Sequence, residues 1–157
     1  MIFSKSFGYA VRGVLYVALM QKEKRYVQVE EIATGLAVPR HFMGKVLKKL
    51  VKEKILLSVK GPSGGFTVHE DTLNVSLIRV INITDGLGSF KTCVLRVKEC
   101  NRENPCPMHG QVEAVRLKLN KIMTETRIGE LLSDNKADFL KSISNAEEDA
   151  VLLPVNH

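Results

Sequence analysis

Apolar positions in the opening segment recur at helical steps: Phe7, Ala10, Val11, Val14, Leu15 and Ala18 fall three or four residues apart and predict an amphipathic core helix. Arg12 interrupts the run and no small-residue cleavage site follows, so the segment reads as core and not as a secretory signal. "VEEIATGLAV" predicts a short second helix, with Ile32, Ala33 and Leu36 apolar and Glu30 and Glu31 in the first turn, where the helix dipole favours carboxylates. Gly35 is expected to supply the turn that ends it. "PRHFMGKVLKKLVKEK" predicts a third helix with Pro39 at or beside its first position. Phe42, Met43, Val46, Leu47 and Leu50 form its expected buried stripe, and Arg40, His41, Lys45, Lys48 and Lys49 lie largely off it. "ILLSVKGPSGGFTV" then reads as strand, Gly/Pro turn and strand. A short helix follows on Val75, Leu77, Ile78, Val80 and Ile81, ended by Gly86. Further on, Val112, Val115, Leu119 and Ile122 keep a 3-4-3 spacing, an a/d seam that serves either an intrachain core helix or helix pairing in a dimer.

Helix, turn, basic helix and Gly-rich hairpin in that order make a winged helix-turn-helix pattern. In that arrangement the second helix of the motif enters the major groove. Side chains near its N-terminus, Arg40 and His41, reach base edges, with Lys45, Lys48 and Lys49 along the same face; for His41, a solvent-exposed and uninvolved position is an equal alternative. Lys60 and the wing glycines Gly61, Gly64 and Gly65 meet phosphate or the minor groove, the glycines allowing positive φ and close backbone approach. An ordinary hairpin with a flexible tip is the plain alternative. Charge agrees with the DNA reading. Of 23 Lys and Arg, residues 1–60 hold 12 against 4 acidic side chains, a balance of +8, whereas residues 61–157 carry −2. A solvated basic face accounts for charge alone equally well.

Composition narrows the classes further. A chain of 157 residues, 45% hydrophobic, can bury a real core. No stretch approaches the roughly 20 apolar residues of a membrane span, and the expectation is a cytoplasmic protein without a membrane partner. No Cys, His and acid set sits on a recognisable catalytic scaffold and no P-loop is present, so an enzyme is not expected.

All three cysteines fall within "CVLRVKECNRENPCPMHG", spaced Cys93-x6-Cys100-x5-Cys106 with His109 three residues on. Three thiols cannot all pair within one chain, which excludes a disulfide framework. The surrounding Arg96, Lys98, Glu99, Asn101, Arg102, Glu103 and Asn104 make a poor core lining. Lys91, Arg96, Lys98 and Arg102 favour thiolate, and three thiolates with an imidazole form a soft ligand set for zinc or an iron–sulfur cluster. The gaps are wider than tight zinc knuckles and suit ligands hung on a loop around a larger group. Pro105 and Pro107 bracket Cys106, with Pro107 fitting the first turn of the helix that follows and His109 pointing toward the loop.

"SKSFGYAVRGVLYVAL", "VEEIA", "FMGKVLKKL" and above all "SVKGPSGGF" resemble the iron–sulfur cluster regulator (IscR) and nitric-oxide-sensitive repressor (NsrR) family of bacterial winged-helix transcription factors, over residues 1 to about 130. Family members usually place Ser or Thr at the cap of the recognition helix, where this chain has Pro39. The resemblance implies a mainly α fold with a small β-wing: a winged helix-turn-helix head at 1–86, a cluster-binding loop at 87–108, a long dimerisation helix region at 109–132 and a tail at 133–157, to which no function is assigned. It implies a homodimer on a palindromic double-stranded operator, with operator affinity switched by a cluster. It also implies that Cys93, Cys100, Cys106 and His109 hold a 2Fe–2S cluster in preference to a 4Fe–4S one. The aspartate that some nitric-oxide-sensing members supply near the N-terminus corresponds here to Gly8, which has no side chain. Solvent, a small thiol, Glu99 or Glu103 are the other candidates for the fourth place. The alternative is a winged-helix regulator that uses the thiols for direct redox sensing or zinc.

Overall fold

Helix α1 (Lys5–Met20) begins where the Ser4 hydroxyl accepts the Phe7 N–H at 3.2 Å, satisfying one of the donors that a helix start leaves unpaired. The structure, a computed structural model, describes residues 3–145. Ala10, Val14 and Val17 are fully buried, and α2 (Val29–Leu36), α3 (Arg40–Lys52) and α4 (Leu77–Thr84) all pack against α1. The α1–α3 crossing is close because Gly13 has no side chain: a Cβ there would lie 3.1 Å from Met43 Sδ and 3.2 Å from Leu47 Cδ2.

Helices α2 and α3 form the expected helix-turn-helix, but the turn is made differently. Ala37 takes the left-handed conformation (φ 50) that was expected of Gly35. Gly35 lies inside α2, where a Cβ would sit 2.5 Å from the Tyr16 ring, so its role is close packing against α1. Met43, Val46, Leu47 and Leu50 are buried as expected, but Phe42 is 54% exposed. The four buried residues already fill the stripe that faces α1, and Phe42, one position before Met43, falls on its flank.

Strands β1 (Leu56–Val59) and β2 (Gly65–Val68) pair antiparallel, with Leu56 opposite Val68 and Val59 opposite Gly65. Val27 pairs with Phe66 from the other side through two backbone bonds of 2.9 and 2.8 Å, which roots the hairpin against the start of α2. Gly61 (φ 104) and Gly65 (φ 138) occupy backbone regions that side chains disfavour. Gly64 departs from expectation: it is buried in the turn without positive φ, and a Cβ there would collide with the Val59 carbonyl.

After α4, which Gly86 (φ 72) follows at its C-terminal end, the chain leaves the head, then returns along α5 (His109–Glu125). The Leu77 N–H donates to Thr126 O at 3.0 Å and the Ile128 N–H to Val75 O at 2.9 Å, stitching the two ends of this excursion together. Ile128 is fully buried in the head core. Helix α6 (Lys136–Ile143) places Phe139 in the same core, and beyond it the Asn145 N–H donates to Leu36 O at 2.8 Å, the last residue of α2. The stretch read from sequence as an unassigned tail is thus, up to residue 145, part of the packed head. Its terminal "AVLLPV" lies outside the described residues.

Candidate metal centre and nucleic-acid interface

Residues 91–108 form no helix or strand. Their charged and amide side chains have no apolar periodicity to bury, and Pro105 and Pro107 keep the following helix from starting earlier. Local polar bonds shape the loop instead. Asn101 Oδ1 accepts the Glu103 and Asn104 N–H groups at 2.9 and 2.8 Å, and the Asn104 amide donates to Glu99 O at 3.2 Å.

This loop brings the three thiols together. Cys93, Cys100 and Cys106 Sγ lie within 4.8 Å of one another, with Cys93 and Cys106 3.6 Å apart. The Cys106 N–H points at Cys100 Sγ at 3.4 Å. Burial pushes the Cys93 thiol up, but the Val97 and Leu95 N–H groups and the thiols of Cys106 and Cys100 outweigh it and bring it down to about 7. The Cys106 N–H favours the Cys100 thiolate, yet burial and the neighbouring Cys106 and Cys93 sulfurs prevail and push that thiol up. The set therefore draws one thiol toward thiolate and pushes its neighbour the other way.

His109 stands at the edge of this set as the first residue of α5. Its Nδ1 is 3.2 Å from Cys100 Sγ, while its buried Nε2 has no hydrogen-bond partner and lies 3.6 Å from Glu113 Oε2, one turn along the helix. Glu113 accepts from Arg102 Nε at 2.9 Å, so a loop arginine ties the loop to α5 through the carboxylate beside the histidine. Sequence reasoning missed Arg102 and Glu113 in this role; the i, i+4 spacing of His109 and Glu113 was the available signal. The donor set suits a soft metal group: three converging sulfurs without a carboxylate among them, and an imidazole adjoining one of them.

The apolar seam of α5 does not enter the head core. Val115 and Ile122 are 61% and 48% exposed. Val112, Val115 and Leu119 line an open groove of about 630 Å³ together with Phe90, Val94 and Met108.

The exposed face of α3 carries His41, Lys45, Lys48 and Lys49, with Lys60 exposed on the wing. Lys49 lies near enough to Asp85 to help hold that carboxyl low, so it faces the α4 flank of the helix. Arg40 is paired: its guanidinium reaches Glu30 Oε1 at 2.6 Å, across the turn of the motif. Two residues before Glu30, Gln28 Nε2 donates to Pro62 O at 2.7 Å and pins the wing tip to the start of α2. The recognition-helix start and the wing tip are thus both anchored at residues 28–30, an arrangement with no signature in the sequence.

These features define a winged helix-turn-helix protein carrying a thiol-rich loop. The sequence profile of the Rrf2 family, described as iron-dependent transcriptional regulator, matches residues 3–134, and the chain belongs to that family of DNA-binding transcriptional regulators. It is 32% identical over 135 residues to an Aquifex aeolicus protein described as an HTH-type transcriptional regulator, covering 85% of this chain and 92% of that one. It is 26% identical over 149 residues to the regulator IscR of Vibrio vulnificus, covering 95% and 84%. Among solved structures, the global cysteine regulator CymR of B. subtilis superposes with TM-score 0.66 at 13% identity, over 83% of this chain and 98% of that one. T. potens IscR superposes with TM-score 0.61 at 17% identity, over 92% and 89%. These likenesses agree on a mainly helical fold with a two-stranded wing. No helix among the described residues is long and apolar enough to cross a membrane.

Proposed function

We propose that this regulator binds a palindromic operator as a homodimer and that an iron–sulfur cluster on the loop sets its affinity. In this reading residues 1–86 grip DNA through Arg40, His41, Lys45, Lys48, Lys49, Lys60, Gly61, Gly64 and Gly65; residues 87–108 hold the cluster; residues 109–132 pair the protomers. Cys93, Cys100 and Cys106 are the ligands, with His109 as the fourth and 2Fe–2S preferred over 4Fe–4S. The observation that carries it is the convergence of all three thiols within 4.8 Å on an exposed polar loop that has no core of its own to explain them. When bound, the cluster supplies iron–thiolate bonds that oxidants and nitric oxide can break.

The chain's own part is mechanical. Ligation holds residues 93, 100 and 106 together, and ordering such a loop costs about 1–2 kcal/mol of backbone entropy per residue. The ordered loop forms one wall of the groove against α5, and α5 joins the head through Thr126 and Ile128. Loss of ligation frees that wall and lets α5, and the partner held on it, shift relative to the head. Both half-sites must be met at once, so a changed spacing changes operator affinity.

The 3.6 Å approach of Cys93 and Cys106 favours a second reading, direct thiol oxidation without a cluster. Anaerobic purification with iron and sulfide analysis separates the two. Cluster-loaded, apo and triple Cys→Ala protein are then compared on one selected operator. Equal affinities for all three would sink the sensor reading and leave a constitutive DNA binder.

A further inference from the structure

Phe42 is the one large apolar side chain that α3 exposes among its basic residues, 54% accessible. It is the third residue of the helix, where recognition helices present side chains to base edges. His41 packs its ring edge against it at 5.8 Å between centroids, and Lys45 follows one turn on, so an aromatic surface is framed by positive charge. Arg40, the residue best suited by type to read guanine, is held by Glu30.

An exposed phenyl ring on a cationic helix is costly to leave in water and has one feature in the major groove to match it. The 5-methyl of thymine is the apolar group displayed there, and it distinguishes T·A from every other pair. Resting on the reading of α3 as the DNA-contacting helix, we propose that Phe42, positioned by the His41 edge, is a specificity residue that reads a thymine methyl in each half-site. Base choice at that position is then set by burial of apolar surface and not by a bidentate hydrogen bond.

The test uses the full-length protein on its selected operator, with each thymine replaced singly by deoxyuridine, which removes the methyl and leaves the pairing edge intact. Wild-type protein is expected to lose about three- to tenfold in affinity at one thymine per half-site. Phe42→Ala should bind the thymine and deoxyuridine operators equally, and Phe42→Leu should keep part of the discrimination. Phe42 is exposed, so the melting temperature of either variant should match wild type; a large fall would make Phe42 a packing residue and overturn the proposal. Combined Lys45→Glu and Lys60→Glu tests the surface separately. If that variant binds as wild type does, the assignment of α3 itself fails. If it loses binding while Phe42→Ala still senses the same deoxyuridine as wild type, the surface stands and this inference alone is overturned.

Discussion

The head and the cysteine loop are stabilised by opposite means. The head is a continuous apolar core in which α1, α2, α3, β1, α4 and the returning segment each contribute side chains with almost no exposure. The loop buries no side chain completely, exposes Val94, Leu95 and Val97, and is shaped by amide turns and one ion pair to α5. A core of this kind is stable whatever is bound elsewhere. In the proposed reading, a loop of this kind depends on the fate of three sulfurs. If the loop is the proposed sensor, the contrast teaches where a sensor can be placed: a region with few buried contacts can respond to a ligand without unfolding the part that reads DNA.

The sharpest way to break this comparison is to remove one interior group from each region. Leu47→Ala, in the fully buried stripe of α3, should cost about 2–5 kcal/mol of unfolding free energy, read by denaturant titration. Cys100→Ala should leave the unfolding curve of the apo protein unchanged while abolishing retention of iron and sulfide. If Cys100→Ala destabilised the apo protein as Leu47→Ala does, the loop would belong to the core and the contrast would fail.

The returning segment sharpens the boundary between the regions. Ile128 is fully buried although it follows the α5 excursion, so Ile128→Ala should lower stability by about 2–4 kcal/mol and should not by itself remove iron. A variant that lost the cluster but kept its melting temperature would assign Ile128 to the loop unit.

Smaller effects are expected at the polar links. His109→Ala should leave a weaker cluster with a shifted visible spectrum, and Glu113→Gln a lesser change of the same kind, because its carboxylate lies 3.6 Å from Nε2 and acts on the ring through its charge. An unchanged spectrum and stability in His109→Ala would move the fourth ligand elsewhere. On the DNA side, Lys60→Ala should weaken binding to all sequences alike and reduce the salt slope by about one, measured by titration at several salt concentrations.

The smallest effect concerns the contact between the N-terminal segment and the end of α4. Asp85 accepts hydrogen bonds from the Ser4 N–H, at 2.7 Å, and from the Ser4 hydroxyl. Burial pushes the carboxyl up, but these bonds, with help from Lys49, hold it below its ordinary range. Folding therefore favours the ionised form. The contribution is full above the unfolded-state value and is lost as pH falls through the depressed folded-state value. Asp85→Asn should remove this part of the acid limb of a stability–pH profile, modestly, since the site is partly exposed and screened by salt. Identical acid limbs for wild type and variant would show that the bond contributes nothing.

Much of the molecule was legible in the sequence because its signals are local. The helical period of α1 and α3, the Gly-rich hairpin and Gly86 after α4 depend on residues close in the chain, and backbone geometry converts such patterns directly into elements. The cysteine spacing likewise placed all three thiols on one loop, where their sulfurs lie within 4.8 Å of one another. Other assignments required distant residues to meet. Gly35 looked like a turn residue until the Tyr16 ring occupied the space its side chain would need, which left Ala37 to make the turn. Phe42 looked like core until Met43, Val46, Leu47 and Leu50 filled the face toward α1. The return of Ile128 and Phe139 to the head, and the Arg102–Glu113–His109 link behind the thiols, join positions whose separation along the chain carries no periodic signal. Sequence determines local geometry because backbone preference acts over a few residues. Which side chain is buried, paired or left to meet DNA is decided by packing, because each face of a helix is allotted only once the other elements have claimed their volume.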